Sequence, residues 1–450
     1  MAEKNPRATW AVGVMRLEKD PGGNILRDTL WDKITKMGRF RSRLVVGRLG
    51  GHWKELPAAE LLELRDNGYL WSEICPGGTA TMDDINEVIN QGNSWEYDRH
   101  KPLWRAQYCR QLADGSAVLI TTINHAIGDG ISLIATLLGL KDDDPEDNEK
   151  GASPTSRRET KAAGGKKGPK LGPISKARAV SYGVFHGLTA SKWKPDPPNA
   201  MSIPDPTKPA VEKRVAQADR ISLAEMKEVK NRFPGATLND IMMAVMTASI
   251  RAYLEEVGDP AVKNKSKVRG AFPINLRSPH EPVLKNGDPM NKWAYGTFRF
   301  DFNYKNRIDL VWKVKRQIDK IKVSPSPLIQ YRLVTVLTKA LPRRVLLDQL
   351  LNMANLATAQ LSNVPGPQHA IYIAGAKIED LCFYLFAPVG LYYGIMSYNG
   401  WVSAGVNVDG STKVDPKMLA KHWKLEFDAL KAECDALGPG VTAPVPRYWF

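Results

Sequence analysis

The chain has 450 residues, a formal net charge of +15, and 43% hydrophobic and 25% charged residues. This length exceeds what one hydrophobic core usually serves, so two domains are expected, and the ordinary globular composition confines disorder to short stretches. The charge suits an anionic partner, whether nucleic acid, a membrane surface or a phosphorylated small molecule, but no basic run interleaved with aromatics and no zinc-finger spacing supports nucleic acid.

Other classes are excluded by what is missing. Cys75, Cys109, Cys382 and Cys434 are too scattered for a zinc ribbon or a disulfide framework, which fits a reducing compartment. The seven histidines show no metal-ligand spacing. MAEKNPRATW carries no apolar signal core, so an intracellular protein is expected.

From the start, strand-like TWAVGVMRL is followed by an amphipathic stretch around LRDTLWDKITKM, and this alternation over the first 140 residues predicts α/β layers. AVLITTIN reads as a buried strand and ISLIATLLGL as a buried helix packed on it. Between them lies HAIGDG, which places His125 and Asp129 at a strand-to-helix junction where glycines permit a tight turn. A neutral imidazole there can take a proton from a hydroxyl or thiol. Asp129 can instead anchor the loop through an arginine, since a buried carboxylate without a partner is costly. The spacing alone is weak evidence, because a lone histidine is more often structural than catalytic.

After Leu140 the character changes. KDDDPEDNEK is acidic with no apolar residue, and GASPTSRRETKAAGGKKGPKLGP is rich in Lys, Arg, Gly and Pro; neither buries enough apolar area to offset the entropy of ordering. The basic half is the best local candidate for contact with an anionic membrane surface, against the plainer reading of a solvated linker. Beyond Pro206, SLAEMKEVKNRF predicts a helix with a Ser cap and a Glu three residues on, and TLNDIMMAVMTASIRAYLEEV a longer, mostly buried helix. VRGAFPINL and YGTFRFDFNY read as strands. The uncharged run from Leu381 to Val408 is long enough to cross a bilayer as a helix. Pro388, Gly390, Gly394 and Gly400 and its β-forming residues instead predict two buried strands joined by turns.

NHAIGDG resembles the HHxxxDG signature of the CoA-dependent acyltransferase superfamily, and the match to its wax ester synthase/diacylglycerol acyltransferase family extends over almost the whole chain. GRFRSRLV is similar to that family's arginine-rich strand. YDRHKPLWRAQYCRQLADGSAVL is similar to its Pro-Leu-Trp region, here Pro102, Leu103 and Trp104. TLNDIMMAV carries the Asn-Asp motif as Asn239 and Asp240, PINLR runs from Pro273 to Arg277, LSNVPGP from Leu361 to Pro367, and SYNGWVSAGVNVD resembles the closing strands. Six motifs in the right order are not a coincidence.

Three departures stand out. The first motif histidine is Asn124, which puts efficiency or acceptor choice in question more than catalysis, since His125 holds the second. The customary Pro-Leu-Ser lead-in is absent, implying one altered wall of the site. The DFGWG motif of plant BAHD acyltransferases is also absent, against that branch.

The resemblance implies an α/β protein of two chloramphenicol-acetyltransferase-like domains, each a mixed sheet with helices, with a substrate tunnel between them. Together with the change of composition after Leu140, it divides the chain into an N-terminal acyltransferase domain over 1–140, a flexible linker or crossover over 141–205, and a C-terminal acyltransferase-like domain over 206–450. It implies a long-chain acyl transfer from acyl-CoA to a fatty alcohol or diacylglycerol, with acyl-CoA as co-substrate, no cofactor and no metal, at a membrane or lipid droplet. His125 and Asp129 are the expected catalytic residues, and Asn124, Gly128, Gly130 and Arg277 the expected loop-shaping ones. Asn239, Asp240, Asn275, Ser362 and Asn363 are candidates for oxyanion or substrate contact, with capping or turn roles as the plainer alternative; Trp104 is expected to pack. Two other readings stay open: a non-catalytic acyl-CoA or lipid carrier, and a condensation-like acyltransferase with a different acceptor.

Overall fold

The computed structural model describes residues 9–47, 50–75, 80–92, 98, 100–142, 170–189, 195–205, 208–210, 212–263, 268–278, 280–340 and 357–447. The first half supplies strands β1 (Trp10–Leu17), β2 (Ser42–Gly47), β3 (Gly50–Glu55), β4 (Trp71–Ile74), β5 (Trp104–Cys109) and β6 (Ala117–Asn124), with helices α1 (Gly23–Ile34), α2 (Ala58–Asp66), α3 (Met82–Gly92) and α4 (Gly130–Leu140). Helix α5 (Pro173–Thr189) follows. The second half supplies β7 (Lys213–Ser222), α6 (Leu223–Asn231), α7 (Leu238–Glu256), α8 (Pro260–Lys263), β8 (Arg269–Asn275), β9 (Leu284–Lys285), β10 (Asp288–Pro289) and β11 (Trp293–Arg299). Helices α9 (Arg307–Val323) and α10 (Ser326–Ala340), strands β12 (Ala359–Pro365), β13 (Tyr372–Ile373), β14 (Ala376–Phe386), β15 (Leu391–Tyr398) and β16 (Trp401–Asp409), and helix α11 (Pro416–Asp435) complete it.

Two six-stranded mixed sheets result, in the orders β13-β14-β1-β6-β5-β4 and β11-β8-β12-β15-β16-β7. The first has apolar clusters on both faces, and the second is covered by α7, α9 and α11. In β15 and β16 nearly every residue is buried, which is why their sequence is an uncharged run rather than an alternating one. Leu381–Val408 therefore holds the end of β14 and two further strands, one more than predicted.

The sheets do not follow the chain division. β13 and β14 come from the second half but join the first sheet, β14 pairing antiparallel with β1. Close approach makes this possible: a Cβ on either Gly394 or Gly405 would lie 2.5 Å from the Phe383 carbonyl oxygen of β14. Asp380 of β14 then accepts from Ser403 at 2.8 Å and from Gln217 at 2.5 Å, tying the sheets together. Within the 141–205 segment read as a linker or crossover, Pro173–Thr189 is helical; the acidic and basic runs of that segment lie largely outside the described residues. All four cysteines are free.

Candidate active site

The site begins where β6 stops. The His125 N–H donates to Thr9 O at 2.9 Å, extending the ladder toward β1, and Ile127 N–H closes a turn on Asn124 O at 2.9 Å. The Asn124 side chain accepts from Ala126 N–H at 3.0 Å, so the residue standing in the first motif-histidine position stabilises the turn itself. At Gly128 a Cβ would come within 2.6 Å of Ser132 Oγ and 2.7 Å of Pro289 Cβ, so only glycine fits. Gly130 opens α4 with a methyl of Val364 3.1 Å from where its Cβ would be.

Asp129 is the N-cap of α4, one carboxylate oxygen accepting from Ser132 N–H at 3.0 Å. Its other oxygen accepts from Lys292 N–H at 2.9 Å and forms an ion pair with Arg277 Nη2 at 2.8 Å, both side chains under a tenth exposed. Arg277 also donates to Met290 O at 2.9 Å, and the Asp129 N–H reaches the same carbonyl at 3.2 Å. One buried carboxylate thus fastens the histidine loop of the first half to the β8 and β10–β11 segments of the second.

His125 is half-buried. Burial lowers its pKa below the ordinary histidine value; the Asp129 charge, its own backbone and the Asn291 side chain oppose that shift without reversing it. The imidazole is therefore neutral at neutral pH. Trp293 stands edge-on to it, ring centres 5.9 Å apart, and Asn291 donates to His125 O at 2.8 Å. Arg39 donates to Ile127 O at 2.8 Å from the far side, its own N–H held by Asp288 at 2.9 Å.

Arg39, Asp288, Asn291, Lys292 and Trp293 were not anticipated. Arg39 lies inside the GRFRSRLV stretch, and a signal for Asn291, Lys292 and Trp293 was the polar-aromatic run they form at the start of a strand. The remaining candidates fall elsewhere. Asn239 accepts from Asn363 at 3.3 Å, joining the start of α7 to β12. Asp240 forms a capping box with Thr237. Asn275 is exposed and accepts from Arg277 N–H at 3.0 Å in a turn. Buried Ser362 hydrogen-bonds Tyr392. Among the described residues none of these five side chains hydrogen-bonds His125. Leu103 and Trp104 are buried, Trp104 donating to Phe40 O at 2.7 Å, while Pro102 bridges to Arg43. Among the described residues no cluster of His, Cys, Asp and Glu could hold a metal.

A cavity of about 870 Å³ lies between α5, α9, α10 and the edge strand β11. Its walls are α5 and elements of the second half. Tyr295 lines it, and its ring is 4.7 Å from that of Trp293, so β11 leads from the cavity to His125.

Two mixed sheets linked by a crossing strand, with an HxxxDG loop where one meets the other, define an acyltransferase fold of the chloramphenicol-acetyltransferase type. The wax ester synthase/diacylglycerol acyltransferase catalytic domain matches residues 75–242, and the WS/DGAT C-terminal domain matches 290–431. The chain belongs to the WS/DGAT family and is an acyltransferase.

A Mycobacterium tuberculosis protein named a probable diacylglycerol O-acyltransferase is 24% identical over 356 residues, 75% of this chain and 73% of that protein. Wax ester synthase/diacylglycerol acyltransferase 4 of Arabidopsis thaliana is 23% identical over 88% of this chain and 81% of its own. Among solved structures, the wax ester synthase/diacylglycerol acyltransferase of Marinobacter aquaeolei aligns with a TM-score of 0.63 at 18% identity, over 96% of both chains. The first condensation domain of the calcium-dependent antibiotic synthetase aligns at 0.57 and 10% identity, over 96% of this chain and 92% of that one. These two likenesses concern the fold.

Proposed function

We infer that the protein transfers a long-chain acyl group from acyl-CoA to the hydroxyl of a fatty alcohol or diacylglycerol, working at a lipid surface, with His125 as general base. The observation that carries this is a neutral, half-buried imidazole on a loop clamped by the Asp129–Arg277 pair. A neutral imidazole has one ring nitrogen without a proton, and that nitrogen accepts the hydroxyl proton. The alcohol oxygen attacks the thioester carbonyl, the C–S bond breaks, and the imidazolium returns its proton to the CoA thiolate. Both substrates are therefore bound together, and no acyl-enzyme forms.

Asp129 and Arg277 act through position, holding the loop rather than touching the reacting atoms. Of the oxyanion candidates Asn239 is the better supported, because its carbonyl is engaged by Asn363 and its amide NH₂ is left to donate. Among the described residues no helix is long and apolar enough to cross a membrane, which suits peripheral contact with a membrane or lipid droplet.

The test is CoA thiol release from palmitoyl-CoA with hexadecanol or a diacylglycerol in parallel, wild type beside His125→Ala, with the lipid product identified. Loss of the base is expected to slow turnover by about 10² or more. Near wild-type turnover by His125→Ala would overturn the mechanism. Acyl-CoA binding without release, whatever the acceptor, would favour the carrier reading.

A further inference from the structure

Eight of the seventeen large apolar side chains exposed among the described residues sit on two helices. Ile174, Val180, Tyr182, Val184 and Phe185 are on α5, and Leu328, Leu333 and Val336 on α10; Ile174, Phe185 and Val336 are each more than 60% exposed. The two helices pack side by side, and Gly183 lets α5 come close against Ser324 and Pro325 at the start of α10. Scattered exposed apolar residues need no explanation, but a contiguous face does.

The charge on this face has one sign. Neither helix contains an Asp or Glu, while Lys176, Arg178 and Arg332 are exposed on them and Lys170 just before α5. Apolar side chains sharing these helices with exposed lysine and arginine match an anionic lipid surface, where the apolar groups enter the acyl boundary and the cations meet head groups. They do not match an ordinary solvated helix face. Position adds a second argument: the same helices wall the cavity whose β11 side leads to His125, through Ser175, Pro327 and Gln330 and, at its rim, the exposed Arg178 and Tyr182.

We propose that the α5–α10 helix pair is the face by which this protein docks on an anionic lipid surface, and that the cavity beneath it receives the lipid acceptor from that surface. The second clause rests on the acyltransferase reading; the docking itself does not. The proposed binding face is built from folded helices rather than from the basic linker segment, which lies largely outside the described residues.

The experiment is flotation of the full-length protein with vesicles of phosphatidylcholine containing phosphatidylglycerol and with pure phosphatidylcholine vesicles. Two variants stand beside wild type: Ile174→Ser/Val184→Ser/Leu333→Ser/Val336→Ser, and Lys176→Glu/Arg332→Glu. These side chains are solvent-facing and none lines the cavity, so thermal unfolding should stay near wild type. Wild type is expected to float with the anionic vesicles, the apolar variant to lose roughly tenfold or more in partitioning, and the charge variant to lose its preference for phosphatidylglycerol, as added salt does.

Turnover of a water-soluble short-chain alcohol is expected to be unchanged in both variants. Wild type that stays with the buffer, or an apolar variant that floats equally well, overturns the docking. So does a wild-type dimer that the apolar variant dissolves, because a second copy would then be what covers the face. Flotation without turnover of any acceptor would sink the acyltransferase reading and leave the docking intact.

Discussion

Removing the Arg277 guanidinium tests whether the histidine loop is held as described. In Arg277→Ala, the Asp129 carboxylate keeps two backbone donors, Ser132 and Lys292, but loses the guanidinium 2.8 Å away. Breaking a buried pair by deleting one partner costs about 3–5 kcal/mol, and the two remaining N–H donors put this case near the low end, at about 3 kcal/mol. Asp129→Ala strands the guanidinium instead and also removes the α4 cap, worth about 1 kcal/mol, so about 4 kcal/mol is expected from the sum. The double variant leaves no unpaired charge and should fall short of additivity by about 2–3 kcal/mol.

The assay is urea denaturation of wild type, both single variants and the double variant, followed by tryptophan fluorescence, with initial rates measured on each. Turnover should fall in Arg277→Ala while KM for acyl-CoA changes little, because the side chain positions the base and does not bind substrate. Additive losses in the cycle, or an Arg277→Ala protein destabilised by less than about 1 kcal/mol, would refute the reasoning.

Two further predictions concern the same loop. Because burial holds the His125 pKa below the ordinary 6.5, kcat/KM should stay flat through neutrality and fall only at more acid pH, as the base protonates. The matching contribution to stability is present above the unfolded-state value and lost as pH falls from there through the lowered folded value. Asp129 raises that pKa, so Asp129→Asn should move the acid limb to still lower pH; a limb that moves up, or stays in place, would contradict the assigned electrostatics. Gly128→Ala forces a methyl into the 2.6–2.7 Å space beside Ser132 and Pro289, an overpacking cost of about 1–3 kcal/mol. Turnover should fall by at least tenfold as the loop shifts, read as kcat with the melting temperature measured alongside; wild-type kcat would show that the loop position is not limiting.

Much of the architecture was legible in the chain because it rests on local pattern. The β6-loop-α4 unit follows from an apolar β-branched run, glycines and a second apolar run, and the Ser222 cap stands where cap chemistry puts it. His125 and Asp129 were evident as polar groups in an apolar stretch, and the ordered motifs carried the family. Side-chain chemistry alone also suggested a partner for Asp129, since a buried carboxylate left unpaired is costly.

What the chain alone could not give was decided by contacts between distant segments. The strand crossing of β14 depends on Gly394 and Gly405 meeting Phe383 across two sheets, and no local periodicity encodes that approach. Asn291, Lys292 and Trp293 join the site only because the second half folds back on the histidine loop, and Arg39 because the turn after α1 packs against it. The lipid-facing character of α5 and α10 shows only in the folded protein, since burial within the tertiary structure decides which apolar side chains remain outside. Local pattern chose the elements; only long-range packing chose their neighbours.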